Sequence, residues 1–169
     1  QHLRRRMELM PEPNELRELR HRAAVVAAER LDDNDTALDL YEQAFEEDPR
    51  DEVASGGLRK LYEKLERYDD MLRFTERLID SAEEPETRAE LRLSCAKLCI
   101  EKLDAPSEGI EHLNAIMDEV PTHSGAVELL AKMLEKEGRD DELADFLQRQ
   151  IELSREEGDQ DNELSTRVK

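Results

Sequence analysis

The chain has 169 residues, of which 41% are charged and 37% hydrophobic, and its net charge is −19. So polar a balance excludes one wide core, and the scarcity of glycine, proline and β-branched residues excludes a sheet-built fold in favour of stacked helices. Its acidity argues against nucleic acid, whose phosphates are held by clustered Lys and Arg, and no apolar run approaches the roughly 18 residues of a membrane span.

Residues 1–10 read as the tail of a preceding helix, where Arg4, Arg5 and Arg6 form a solvated basic face ahead of acidic residues from Glu8 onward. A first helical pair is predicted over 15–31 and 36–47, split by the capping run Asp32-Asp33-Asn34-Asp35 and closed by Pro49. The second pair, over 52–66 and 69–82, carries the stripe Leu58, Leu61, Tyr62 and Leu65 at helical spacing. A third pair, over 87–103 and 107–119, turns at Ala105-Pro106-Ser107 and ends at Pro121. The fourth covers 124–137 and 140–155, with Gly138-Arg139-Asp140-Asp141 as its turn and Val127, Leu130 and Leu134 as its stripe. Asn162, Glu163 and Leu164 resemble the opening of another first helix, so residues 158–169 are expected to begin a following helix or to be a disordered end.

These pairs repeat at a longer interval. Sliding the chain by 72 residues, the distance from Pro49 to Pro121, aligns it with itself without a gap. Leu19 then meets Leu91, Ala24 meets Ala96, Leu31-Asp32 meets Leu103-Asp104, Leu58 meets Leu130, Phe74 meets Phe146 and Ile79 meets Ile151. About twenty of about seventy pairs are identical, several times the chance level. The expected organisation is a tail over 1–10, one double unit over 15–85, a second over 87–157, and the end segment 158–169. No stripe can be buried by a single pair, so each pair must pack on the next.

The residues resemble the tetratricopeptide repeat. Ala37, Tyr41, Ala44 and Pro49 match the small, aromatic, small and proline positions of that family's second helix. Leu58 and Tyr62 occupy its large and aromatic first-helix places, whereas Ala24 and Ala28 stand there in the first repeat and tryptophan is absent. Glu18, Glu52, Glu90 and Ser124 open successive repeats at intervals of 34, 38 and 34 residues, against a family period of 34. Glu83 and Arg155 replace the closing proline in the longer repeats, as in degenerate arrays of large bacterial members. The resemblance implies an all-α, right-handed superhelical solenoid of antiparallel helix pairs, open at both ends and continuing in a longer parent chain.

Cys95 and Cys99 lie four residues apart on one helix, a spacing that would let two thiolates face one metal. Nothing completes a tetrahedral set, and their counterparts are Ala23 and Ala27, so they read as small packing residues, with no metal or cofactor expected. Two free thiols suit a reducing compartment, and the expectation is a soluble chain, cytoplasmic rather than exported. His2, His21, His112 and His123 sit in four different elements and suggest no relay or ligand set. With no glycine-rich loop, no nucleophile elbow and no zinc motif, an enzyme is not expected.

The informative constellation is a ladder at the ends of the first helices: Glu29-Arg30, Glu63-Lys64, Glu101-Lys102 and Glu135-Lys136. In the family the first helices line a concave groove, which by resemblance places Arg22, Val26, Glu29, Arg30, Lys60, Glu63, Lys64, Leu98, Lys102, Lys132 and Lys136 there. One reading is that cations at helix ends offset the dipole, worth about 0.3–1 kcal/mol each. The other is a groove that accepts an acidic or carboxylate-bearing peptide through Lys60, Lys64, Lys102, Lys132 and Lys136. No predicted first helix carries asparagine, which the family's chaperone-tail clamp uses, so that ligand is not expected. The partner expected is a protein or peptide, with no nucleic acid and no membrane insertion. The runner-up is a structural segment, a monomer or weak self-associating chain joined through uncapped ends.

Overall fold

In a computed structural model the chain is described over residues 13–167, with side chains described over 15–156. Among the described residues it forms α1 (Pro13–Arg30), α2 (Asn34–Glu47), α3 (Glu52–Lys64), α4 (Tyr68–Ser81), α5 (Pro85–Glu101), α6 (Pro106–Glu119), α7 (Ser124–Lys136) and α8 (Asp140–Arg167). The helix starts recur at the interval of the internal alignment, since Pro13, Asn34, Glu52 and Tyr68 each stand 72 residues before Pro85, Pro106, Ser124 and Asp140. The residues of residues 1–10 to which a helix tail was assigned lie outside the described part.

Turn chemistry sets these boundaries. Asp33 caps α2, its side chain accepting from the Thr36 amide at 3.2 Å and the Thr36 hydroxyl at 2.7 Å. Pro85 and Pro106 stand at the first turns of α5 and α6, where a fixed φ suits helix entry and a missing N–H costs nothing, so α5 starts two residues ahead of the predicted 87. Helix ends repeat as well: Asp32, Glu66, Asp104 and Gly138 adopt positive φ of 51°, 54°, 50° and 67°. In each turn the next amide reaches back to close the helix, as Asp33 does to Ala27 and Ala105 to Cys99, both at 2.9 Å. At the far end α8 runs unbroken to Arg167, past the point where a new helix or a disordered end was expected. Lone Gly158, costing about 1 kcal/mol in a helix, stands between Glu157 and Asp159 without ending it.

Packing divides the chain within α4, between Met71 and Leu72, into two compact units. In the first, α1, α2 and α3 bury Ala24, Ala27, Ala37, Leu38, Ala44, Phe45, Ala54 and Leu58. Small residues on α1 let α2 approach closely, while Phe45 and Leu58 fill the seam. Asp51 caps α3 from a buried position, with one oxygen on the Ala54 amide at 3.0 Å and the other 2.7 Å from Nε2 of His21 on α1. The second unit centres on Ala89, Leu93, Ala96, Leu113, Ile116, Ala126, Leu130 and Leu134, with Leu129, Leu143 and Phe146 packed against them. Its α7 cap is His123, which accepts from the Ala126 amide through Nδ1 at 3.3 Å and lies 3.3 Å from Glu90 on α5. Cys95 and Cys99 are fully buried within it, and burial pushes the Cys95 thiol up to about 12, which makes both inert packing groups.

Two short helix layers joined by tight turns, repeated along the chain, define the helical-repeat solenoid class of all-α protein.

Candidate binding cleft

The first unit contains an open cleft of about 490 Å³ between α1 and α3, with Tyr41 of α2 in its lining. Val25, Ala28 and Glu29 form one wall, and Glu52, Val53, Gly56, Gly57, Lys60, Leu61 and Lys64 form the other. On α3 these fall into two rows at four-residue spacing, Glu52/Gly56/Lys60 and Val53/Gly57/Leu61, so one helical face supplies the wall. Val25 and Val53 remain 37% and 50% exposed, an apolar surface that the unit does not cover.

The cleft exists because Tyr41 lies flat against a glycine. A Cβ on Gly57 would stand 2.5 Å from Cζ of the Tyr41 ring, which only glycine avoids. In the second unit the counterparts of Tyr41 and Gly57 are Leu113 and Leu129, which pack as ordinary apolar neighbours in its core. Burial, reinforced by the negative charge of Glu29, raises the Tyr41 phenol pKa, so the hydroxyl stays protonated and is able to donate.

The charges along the rim are matched. Lys64 donates to Oδ1 of Asp32 at 2.7 Å and to Oδ1 of Asn34 at 3.1 Å, holding the Asp32 carboxyl below the usual carboxylate range. Two carboxylates, Glu29 and Glu52, face two ammonium groups, Lys60 and Lys64. Such a lining holds an apolar group and offers a hydrogen bond from its floor. Among the described residues no group of three or more His, Cys, Asp or Glu is arranged for a metal ion. No helix among them is long and apolar enough to cross a membrane.

Of the groove residues inferred from the sequence, Lys60 and Lys64 line this cleft. Arg22, Val26 and Arg30 form an exposed row on α1 beside the lining residues Val25 and Glu29. In the second unit Lys102, Lys132 and Lys136 are exposed and Leu98 is half-buried, with none of them in the recess between α6, α7 and α8. That recess, about 290 Å³, is lined by Ile110, Leu130, Phe146 and the ion pair of Arg139 with Glu142, closed at 2.9 and 2.6 Å. Sequence reasoning passed over Val25, Val53, Gly56 and Gly57. The available signal was a pair of glycines in mid-helix where the internal alignment has Glu128 and Leu129.

Comparisons with known proteins agree with this architecture. The tetratricopeptide repeat family model matches residues 126–161. Two solved structures resemble the chain, MamA 41-end from Desulfovibrio magneticus RS-1 with a TM-score of 0.51, and a MamA RS-1 ArsTM double mutant with a TM-score of 0.52. Each is 18% identical, and each alignment covers 83% of this chain and 76% of the other. No curated protein matches the chain. The chain is a tetratricopeptide-like helical-repeat protein.

Proposed function

We propose that the chain is a non-enzymatic interaction scaffold that takes a segment of a partner protein on the exposed face of its first helices. The observation that carries this reading is the α1–α3 cleft, where an uncovered apolar lining meets a protonated phenol on a rigid pair of helices. Repeat surfaces of this class hold extended partners because the packing seam, and not the exposed face, maintains the fold. A photocrosslinking residue placed at Lys60, with a control at Asp39 on the exposed side of α2, tests it against a random dodecapeptide library. Adducts at position 60 and none at 39 are expected; equal labelling at the two positions would sink the reading. The charge-reversed variant Lys60→Glu/Lys64→Glu/Lys136→Glu asks whether acidic library members are preferred, and unchanged capture of them at low salt removes that preference.

A second reading, self-association through an open end, is favoured by one feature of α8. Leu147 and Ile151 are 41% and 54% exposed, whereas their counterparts Thr75 and Ile79 in the second unit are buried at 8% and 5%. The α8 face therefore leaves apolar groups exposed at positions that are buried in α4. Light scattering over a range of concentrations tests this reading, since a strict monomer throughout counts against it.

A further inference from the structure

Gly56 and Gly57 stand side by side in α3, and the fold needs only one of them. Gly57 is required by the Tyr41 ring. A Cβ on Gly56 would meet nothing within 4 Å, and the residue does not adopt a left-handed φ. Alanine would fit there and would favour the helix, since glycine in a helix interior is the weaker choice. The counterpart at the same place in the second unit is Glu128. Helix α3 thus forgoes stability at a position that no contact inside the unit demands, and that position faces the cleft.

A second observation lies beneath it. Tyr41 is 5% exposed and lines the cleft, and no group among the described residues hydrogen-bonds its hydroxyl, which opens to solvent there. By contrast the other buried tyrosine of this unit, Tyr62, donates to Glu42 at 2.7 Å. A buried phenol normally finds an acceptor, and here the open direction is the cleft. Glycine in a helix permits close approach by another backbone, and a phenol lining the same cleft offers that backbone a donor. Charge narrows the ligand further: with Lys64 engaged by Asp32 and Asn34, Glu29 and Glu52 stand beside Lys60, so the cleft has no surplus positive charge for an acidic segment.

We infer that the cleft takes a neutral, extended stretch of a partner polypeptide whose backbone passes over Gly56, with one aliphatic side chain set between Val25, Val53 and Leu61 and a backbone carbonyl accepting from the Tyr41 hydroxyl. The inference rests on the first-helix face being the binding surface, and it adds the chemistry of the occupant. An aliphatic side chain suits the lining because Val25 and Val53 stay exposed without it. Close passage of the chain explains why no Cβ stands at 56.

The test uses the full chain, isotopically labelled, and three blocked tripeptides as probes: acetyl-Ala-Leu-Ala-amide, acetyl-Ala-Ala-Ala-amide and acetyl-Ala-Glu-Ala-amide. Amide shifts are followed by NMR at millimolar probe concentrations. The leucine probe is expected to give saturable shifts at Val25, Ala28, Val53, Gly56 and Gly57. The alanine probe should bind about thirtyfold more weakly, the consequence of losing about 2 kcal/mol of aliphatic burial. Gly56→Leu should abolish the shifts while leaving the thermal midpoint at or above that of the parent, which separates blocked access from misfolding. Tyr41→Phe, which keeps the ring and removes the donor, should weaken binding about tenfold, as expected for one hydrogen bond. Tight binding by Gly56→Leu, or a glutamate probe that matches the leucine probe, overturns the inference. Saturable shifts confined to Leu98, Lys102 and Lys132 overturn it while leaving the broader groove reading intact. Absence of any saturable shift at the cleft also overturns it, and the Lys60 crosslinking result then decides the broader reading separately.

Discussion

Adding one methyl group at Gly57 should destabilise the protein when Tyr41 is present and stabilise it when Tyr41 is absent. In the native packing a Cβ at 57 would sit 2.5 Å from the ring carbon Cζ, where ordinary contact begins near 3.4 Å. Forcing that contact displaces a ring that is 5% exposed, and overpacking of this kind costs about 1–3 kcal/mol. Against it stands the helix preference for alanine over glycine, about 1 kcal/mol, so Gly57→Ala alone should cost about 1 kcal/mol. Tyr41→Leu opens the space that the ring filled and matches Leu113 in the second unit. In that background the methyl meets no ring, and Gly57→Ala should now gain about 1 kcal/mol. The coupling between the two positions is therefore about 2 kcal/mol, well beyond the roughly 0.5 kcal/mol scatter of independent sites. Thermal unfolding of the four proteins followed by circular dichroism measures it, with each kcal/mol moving the midpoint by about 2–4 °C. Should Gly57→Ala raise the midpoint equally in both backgrounds, the account of the cleft as a product of the Tyr41–Gly57 contact is refuted.

Three further outcomes are expected. Asp51→Ala removes a buried cap and the partner of His21 together, and should lower stability by about 2 kcal/mol, read from the urea midpoint; Asp51→Asn, which keeps an acceptor for the Ala54 amide, should cost less. Glu66→Gly relieves a φ of 54° where the counterpart is already Gly138, and should add about 0.5–1 kcal/mol, with no gain if the turn relaxes instead. Burial outweighs neighbouring Glu76 and lowers the His112 pKa below 6.5, so between the two values the unfolded chain binds the extra proton. Stability from that residue is complete above about pH 6.5 and declines as pH falls towards the folded value; His112→Gln should flatten this part of a midpoint-against-pH profile. Asp33 and Glu47, held low by Thr36 and Arg20, add a second decline only further down, as pH falls through their depressed values.

Much of the architecture was legible because its causes are local. Apolar spacing such as Leu58, Leu61, Tyr62 and Leu65, and turn runs such as Asp32-Asp33-Asn34-Asp35, act within a few residues, so the helix pairs and their turns stood in the one-dimensional pattern. The internal alignment extended further than expected, since even the left-handed residues Asp32 and Asp104, and Glu66 and Gly138, recur in register. Where a proline opened a helix, as at Pro85, the reading was late by a turn's fraction, because a residue that usually breaks helices favours their first position.

The cleft was another matter. Lys60 and Lys64 were assigned to a groove from their place on a first helix and line this cleft, but Lys64 is held by Asp32 and Asn34, and the apolar lining was not read from the sequence. Period and helix type follow from each residue's immediate neighbours, and the amino-acid order sufficed for them. Whether a face is filled or open depends on volumes facing each other across helices: Tyr41 against Gly57 in one unit, Leu113 near Leu129 in the other. The same holds for His21 and Asp51, thirty residues apart in the chain and 2.7 Å apart in space. Such matches are properties of packing, and they came into view once the helices were placed side by side.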